Sequence, residues 1–371
     1  MRRRGFAAVA IVAMLALVAV GCSKKNTASS TGWGTATSAQ AGGGLDALVT
    51  AAKAEGTLNA IALPSDWANY GNIIKTFQTK YGITVKVANP SGSSQDEVDA
   101  VNQQQGTGAA PDVLDVGMAV AYANTSLFAP YQVATWSDIP DSQKESTGLW
   151  YQDYGGYMAV GYDSAKFGTI TSLDQLMDPK FKNAVALNGN PTEANAALNG
   201  VMMANLAAGG TADDIAKGVD WFSQLNQVGN FNKVQATSDT VKAGTTPVVF
   251  DWDYLNAVHG ADVPTWKVFV PSNAVLGGYY AQAINKDAPH PAAARLWEEF
   301  LFSQDADGGQ NLWLQGGARP VELEAMTSDG SIDASAAAKL PKVSGTPTFL
   351  NDQQATNAAN YLNANWTKAI S

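Results

Sequence analysis

Residues 150–163 read WYQDYGGYMAVGYD. The seven residues from Tyr157 form a strand-like run, and the pair Gly155–Gly156 stands just ahead of it. The same arrangement returns at GGYYAQAIN (277–285), and a third pair, Gly316–Gly317, precedes ARPV (318–321). Glycine adopts backbone conformations closed to other residues, so each pair reads either as a tight turn or as a place where the chain can reorient.

Outward from this run, strand and helix patterns alternate. LDALVTAAKAEG (45–56) has helical spacing and ends on glycine, a favourable helix stop. TLNAIAL (57–63) is strand-like, and Pro64-Ser65-Asp66 then reads as turn and cap for a helix in WANYGNIIKTFQTKYG (67–82). ITVKVANP (83–90) alternates like a strand, Ser94 and Glu97 stand at capping-box spacing, and PDVLDVG (111–117) is a third strand. Further strands are expected at AVALNG (184–189), PVVFDW (247–252) and KVFVP (267–271). Helices are expected at 193–210, 212–225, 290–303 and 353–370. Such alternation predicts an α/β fold with a parallel sheet covered on both faces.

In open parallel sheets a ligand sits beyond the carboxyl ends of the strands. The loops meeting that description are Ser65-Asp66-Trp67, Ser91 to Ser94 with Ser93 among them, Asp115 to Met118 with Gly117, and NGNPTEANAAL (188–198), where Thr192 stands at a helix opening. Asp251-Trp252-Asp253 ends a strand, and Tyr279 and Tyr280 lie in the second glycine-led run. Aromatic faces pack apolar groups or attract cations, and carboxylates select ammonium or hydroxyl groups. The helix openings near Ser65, Ser93, Gly117 and Thr192 would instead offer backbone N–H groups to an anion. These loops hold almost no basic residue, which favours a cationic or neutral solute. Adjacent Tyr279 and Tyr280 must point to opposite faces of a strand.

The N-terminus has its own pattern. Arg2 to Arg4 precede the apolar stretch Phe6 to Val20, and small residues lead to Cys22, the single cysteine. This is the layout of a secretory signal, and it is short for a membrane span. It resembles a bacterial lipoprotein signal over 1–21, which implies cleavage before Cys22 and lipidation of its thiol. The mature chain then has no cysteine for a disulfide, thiolate metal site or nucleophile. Residues 22–44, rich in Ser, Thr, Ala and Gly, are expected to form a flexible tether.

The formal charge is −10, and loss of the three arginines in residues 1–21 makes it −13. That excludes a nucleic-acid partner, which needs clustered basic groups. His259 and His290 have no partner at metal-ligand spacing, no serine stands in a nucleophile elbow, and no GxxxxGK[ST] loop is present. No catalytic residue, metal site or cofactor is expected. A carboxylate-based hydrolase would leave no such signature.

The segments AAKAEGTLNAIALP (51–64), GAAPDVLDVG (108–117), LFAPYQ (127–132), WYQDYGGYMAVGYD (150–163), SLDQLMDPKFKNAVAL (172–187) and 279–321 resemble, in order and spacing, the substrate-binding lipoproteins of ABC importers. The resemblance implies a two-lobed type II periplasmic-binding fold, each lobe a mixed sheet flanked by helices, with a hinge between them. Lobe one would be 45–158 plus 282–318 and lobe two 159–281 plus 319–371. It implies a monomer that delivers a small polar solute to a permease served by a separate ATPase subunit. Polyamine-binding relatives carry a tryptophan and an acid at the second crossing, where this chain has GGYYAQAIN; ferric relatives use tyrosine oxygens, and phosphonate binders belong to the same class. A membrane-tethered sensor and a secreted enzyme on the same scaffold are the readings of a different class.

Overall fold

A computed structural model describes residues 30–341 and 343–371. The signal segment 1–21 and Cys22 lie outside the described residues. The strands are β1 (Thr57–Ile61), β2 (Thr84–Ala88), β3 (Val113–Gly117), β4 (Phe128–Ala129), β5 (Tyr151–Asp163), β6 (Val185–Leu187), β7 (Val248–Trp252), β8 (Trp266–Phe269), β9 (Leu276–Asn285), β10 (Arg319–Pro320) and β11 (Thr348–Phe349). The first helices are α1 (Leu45–Glu55), α2 (Tyr70–Tyr81), α3 (Ser94–Gln104), α4 (Met118–Ala123) and α5 (Ser164–Phe167). Then come α6 (Asn195–Ala207), α7 (Ala216–Gln227), α8 (Ser238–Lys242), α9 (Asp253–Val258) and α10 (Pro291–Leu301). The last are α11 (Gly309–Gln315), α12 (Leu323–Asp329), α13 (Ala334–Ala337) and α14 (Asp352–Ala369).

The fold is α/β and two-lobed, and its sheets are mixed, as the resemblance implies, rather than parallel as alternation alone suggests. β1 and β2 are parallel, as are β6 and β7, whereas β9 runs antiparallel to β3, β4 and β5. One strand serves both lobes: β5 pairs with β9 as far as Tyr157 and with β7 from Met158 onward. β8 covers the other side of that second half. A 13-residue strand buried along most of its length can do this because both of its faces meet apolar layers.

Two of the glycine pairs lie inside strands, Gly155–Gly156 in β5 and Gly277–Gly278 in β9, whereas Gly316–Gly317 forms the turn after α11, with Gly317 at φ 84°. Gly155 faces Tyr279 and Gly156 faces Gly278 in the β5–β9 register. A Cβ on Gly155 would strike the Gly278 carbonyl, one on Gly156 the Asp253 carboxylate, and one on Gly278 the Trp252 ring. Close approach of two backbones and their neighbours, not unusual torsion angles, requires glycine at these three positions.

The loop after β1 departs from expectation. Ala62, Ala68 and Asn69 have φ of 54°, 43° and 67°, so the chain makes a strained left-handed passage before α2 begins at Tyr70. Asp66 therefore does not cap the helix. In α3 the capping box is Ser93 with Asp96, one residue earlier than the Ser94 and Glu97 spacing suggested.

Two expectations about organisation are corrected. Residues 30–44 do not form a tether: Trp33 is buried in the core, and Arg295 donates from Nε to the Ala36 carbonyl at 2.7 Å and from Nη2 to the Gly34 carbonyl at 3.2 Å. Backbone carbonyls supply most of this anchoring, so a small-residue composition did not reveal it. Residues 319–371, expected in lobe two, also divide. β10 pairs with Tyr154 and Gly155, the Glu322 carboxylate accepts from Thr135 and Gln304, and the Asp333 N–H donates to Asn311. These contacts hold the stretch on lobe one, while α14 packs against both α4 and α7.

Truncating a buried tryptophan costs about 3 kcal/mol or more. Trp33→Ala should lower the denaturation midpoint by that amount and expose residues 30–44 to proteolysis, and an unchanged midpoint would restore the tether reading.

Candidate functional site: the inter-lobe cleft

A cavity of about 410 Å³ opens between the lobes. Its lobe-one wall comes from the loop after β1, the start of α3 and the end of β3. Its lobe-two wall comes from residues 188–196, the start of α8, Asp251 at the end of β7, and α9. The strand-to-helix junctions meet here because both lobes turn the same ends of their strands toward the gap, and the carboxyl-end rule thus survives the change from parallel to mixed sheets.

Of the residues chosen from sequence, Asp66, Trp67, Ser93, Asp115, Asp251 and Tyr280 line this cavity. Six others do not. Ser65 is exposed and uses its carbonyl to accept from the Gly71 N–H at 3.0 Å. Thr192 donates its N–H to Asn190 Oδ1 within its own loop. Gly117 stands against Asn195 of the opposite lobe, where an added Cβ would collide with the Asn195 side chain. Trp252 is fully buried behind the hinge, its indole N–H 3.4 Å from the Tyr280 hydroxyl. The Asp253 carboxylate is held by Arg319 Nη1 at 2.8 Å and the Tyr157 N–H at 3.0 Å, a buried ion pair with a structural task. Tyr279 faces a different cavity. The last four depend on which face of a strand or helix end is covered by the other lobe, information that local spacing does not carry.

Sequence reading missed several groups in the wall, among them Asp96, Glu97, Asn188, Glu193, Asp239 and His259. The Ser93–Asp96 capping box was the signal that would have added Asp96 to the reading of this helix start. His259 is buried beside Trp266, and burial pushes its pKa down, so it brings a neutral imidazole.

The floor of the cleft is a web of hydrogen bonds around buried acids. Tyr70 and Tyr154 hydroxyls donate to Asp115 Oδ2 at 2.8 and 2.9 Å, and Trp67 Nε1 donates to the Tyr154 hydroxyl at 2.7 Å. Asp115 Oδ1 has no partner among the described residues. Asn188 donates to Asp251 Oδ2 at 2.9 Å, and the Trp252 N–H donates to Asp251 Oδ1 at 2.8 Å. Burial pushes the Asp115 carboxyl up to about 7 against the pull of its two tyrosines, and pushes Asp251 up to about 7 as well. Glu97, whose Oε2 accepts from the Asp115 N–H at 2.9 Å, is driven well above the carboxylate range by burial and then by Asp115. Tyr280 sits between these walls, edge-on to Trp67 at 5.7 Å and stacked on Tyr154 at 5.7 Å. Across the mouth, Ser238 Oγ of lobe two donates to Asp66 Oδ2 of lobe one at 2.7 Å, so the lobes are drawn together.

Residues 111–344 match the family model of bacterial extracellular solute-binding proteins. The chain belongs to this family. Its members bind solutes and are not enzymes. Solved structures give the same fold: the periplasmic binding protein AfuA from Actinobacillus pleuropneumoniae, with fructose-6-phosphate bound, is 17% identical with a TM-score of 0.65, the match covering 85% of this chain and 98% of that one. Iron-bound HitA from Pseudomonas aeruginosa is 19% identical with a TM-score of 0.60 over 84% and 99% of the two chains. The spermidine/putrescine substrate-binding protein PotD from Streptococcus pneumoniae is 13% identical with a TM-score of 0.55 over 85% and 99%. At these identities the likeness shows the fold alone.

The buried acids make stability depend on pH. Asp115 and Asp251 titrate near 7 when folded against an ordinary 3.8, so between those values the folded state holds protons that the unfolded state has lost. Stability of the empty solute-binding protein should therefore fall as pH rises from about 4 through about 7. Asp251→Asn should flatten that fall by up to about 4 kcal/mol, read as denaturation midpoints at several pH values; an unaltered slope would show that Asp251 is not protonated in the folded state.

Proposed function

We propose that this solute-binding protein captures a small organic cation, an amine or polyamine-like solute, and hands it to an ABC permease whose ATPase is a separate subunit. One observation carries the reading: the cavity wall holds seven carboxyl groups, Asp66, Asp96, Glu97, Asp115, Glu193, Asp239 and Asp251, and no lysine or arginine. Low-dielectric walls of one sign concentrate ligands of the other. Trp67 and Tyr280 add aromatic faces that attract an ammonium or pack a methylene chain.

The alternatives of the same class fit less well. A phosphonate or sugar phosphate would sit among these acids without a basic partner. A two-tyrosine ferric site needs Tyr279 and Tyr280 on one ligand, and they face different cavities. The departure from polyamine-binding relatives at the second crossing is offset here by Asp115 and Asp251 on either side of Tyr280. The reading includes an extracytoplasmic monomer, anchored by lipid at Cys22 and joined to the folded body by the residues before 30.

Calorimetry with putrescine and spermidine should show saturable heat that a sugar phosphate or phosphonate does not give. Affinity should rise between about pH 6 and pH 8, with proton release, because a cation favours the ionised forms of Asp115 and Asp251. Asp251→Asn should weaken it at least about tenfold. Tighter binding of an anion at low pH would sink the reading.

Closure can be tested apart from ligand contact. Gly117→Val, outside the cavity wall but wedged against Asn195, should keep the lobes apart and reduce affinity about tenfold or more. Scattering should show a larger radius with ligand present, and wild-type compaction of the variant would count against closure.

A further inference from the structure

A second cavity, of about 630 Å³, lies behind the hinge. β9 separates it from the cleft: Tyr280 faces the front cavity and its neighbour Tyr279 the rear one. The rear cavity is built from both lobes, with α4 and Trp150 on one side, α6 on the other, and residues 349–355 closing the edge. The geometry points to a second ligand site here, one that takes a neutral, hydroxyl-rich ring such as a saccharide.

The chemistry of the wall selects that class. Tyr122, Trp150, Tyr279 and Phe349 present aromatic surface, Tyr122 edge-on to Trp150 at 5.3 Å and Tyr279 tilted on Phe349 at 6.2 Å. Phe349 remains 50% exposed, an uncovered apolar ring at the mouth. Between the rings stand amides with capacity to spare. Gln143 Nε2 donates to Gln152 Oε1 at 2.8 Å, and Asn199 Nδ2 donates to Asn195 O and Oδ1 at 2.9 and 3.1 Å. Gln152 Nε2 and Asn199 Oδ1 make no hydrogen bond among the described residues. Amides both donate and accept, as hydroxyl groups do, and aromatic faces cover the apolar face of a sugar ring. Asp352 is the single charged residue in the wall, so a charged guest would lack a complement for either a strong negative or a positive network.

The position gives the site a consequence. Rotation about the strands between the two cavities narrows the cleft as it widens the rear cavity, so occupants of both favour the closed arrangement. Asn195 links them directly: it lines both cavities, beside Tyr280 in the front one, and its Oδ1 accepts from Asn199 on the other side. Each ligand must then raise the affinity for the other by the same factor. This coupling rests on the cation reading of the cleft, whereas the rear site does not.

The test is titration of the purified protein with maltose and glucose, followed by tryptophan fluorescence, which Trp150 reports. Saturable binding is expected. Phe349→Ser, at a half-exposed position, and Gln152→Leu should each weaken it about tenfold or more while leaving putrescine affinity measured without sugar unchanged. Asp251→Asn should weaken putrescine binding at least about tenfold and spare maltose. Saturating maltose should tighten putrescine several-fold, and the reverse titration should give the same factor. No saturable response to either sugar at tens of millimolar would overturn the site, as would maltose binding that Asp251→Asn removes and Phe349→Ser leaves intact, since the sugar would then occupy the cleft. Sugar binding with the expected variant pattern but no putrescine binding would leave the rear site standing and overturn the cation reading and the coupling alone.

Discussion

The architecture depends on how closely β5 and β9 approach at Gly155, Gly156 and Gly278. A single Cβ at any of these positions would meet a carbonyl, the Asp253 carboxylate or the Trp252 ring. Because the strands can close on each other, β5 passes from β9 to β7 without interruption, and both lobes share one continuous backbone. Fixing β9 fixes the alternation of its side chains, which sends Tyr280 into the cleft and Tyr279 behind it. The Asp253–Arg319 pair then ties the start of α9 to β10, so the same junction also locks the third passage of the chain.

Around that junction the buried carboxyls differ in the partners that meet them. Asp253 is buried with a cation, and Glu322, which burial pushes up to about 7, has threonine and glutamine donors. Asp115 and Asp251 are buried with neutral donors only, and Asp115 keeps one oxygen unmatched. Burying a carboxyl without a counter-charge is unfavourable in the empty protein, and the same deficit becomes binding energy for a ligand that supplies positive charge. The two tyrosines, with Trp67 behind Tyr154, hold Asp115 Oδ2 in place, so little reorganisation is needed on capture.

Much of the local structure was legible. Helices ending on glycine, such as α1 at Gly56 and α2 at Gly82, and alternating strands such as β2 follow from spacing and backbone preference alone. Where local rules failed, a distant partner was responsible. Arg295 of α10 captured the carbonyls of residues 34 and 36, turning a segment with the composition of a linker into part of the core. The strained passage through Ala68 and Asn69 moved the start of α2, with the Asn69 amide held by the Leu312 carbonyl at 2.6 Å. Half of the chosen site residues reached the cavity, because strand ends are readable while the covering of their faces is not.

The sequence by itself determined an α/β chain of alternating strands and helices, an acidic charge that argues against nucleic acid, the lack of a nucleophile-elbow or nucleotide-loop motif, and a resemblance over most of its length that pointed to the family and the two-lobed fold. All of these reside in the order of residues along the chain. Tertiary structure decided that β5 serves both lobes, that Trp252 and Asp253 serve the hinge, and that acids from α3, β3, β7 and the residues before α6 converge on one cavity. Convergence of that kind joins residues more than a hundred positions apart, and only the packing of two lobes on shared strands sets their distances and their solvation.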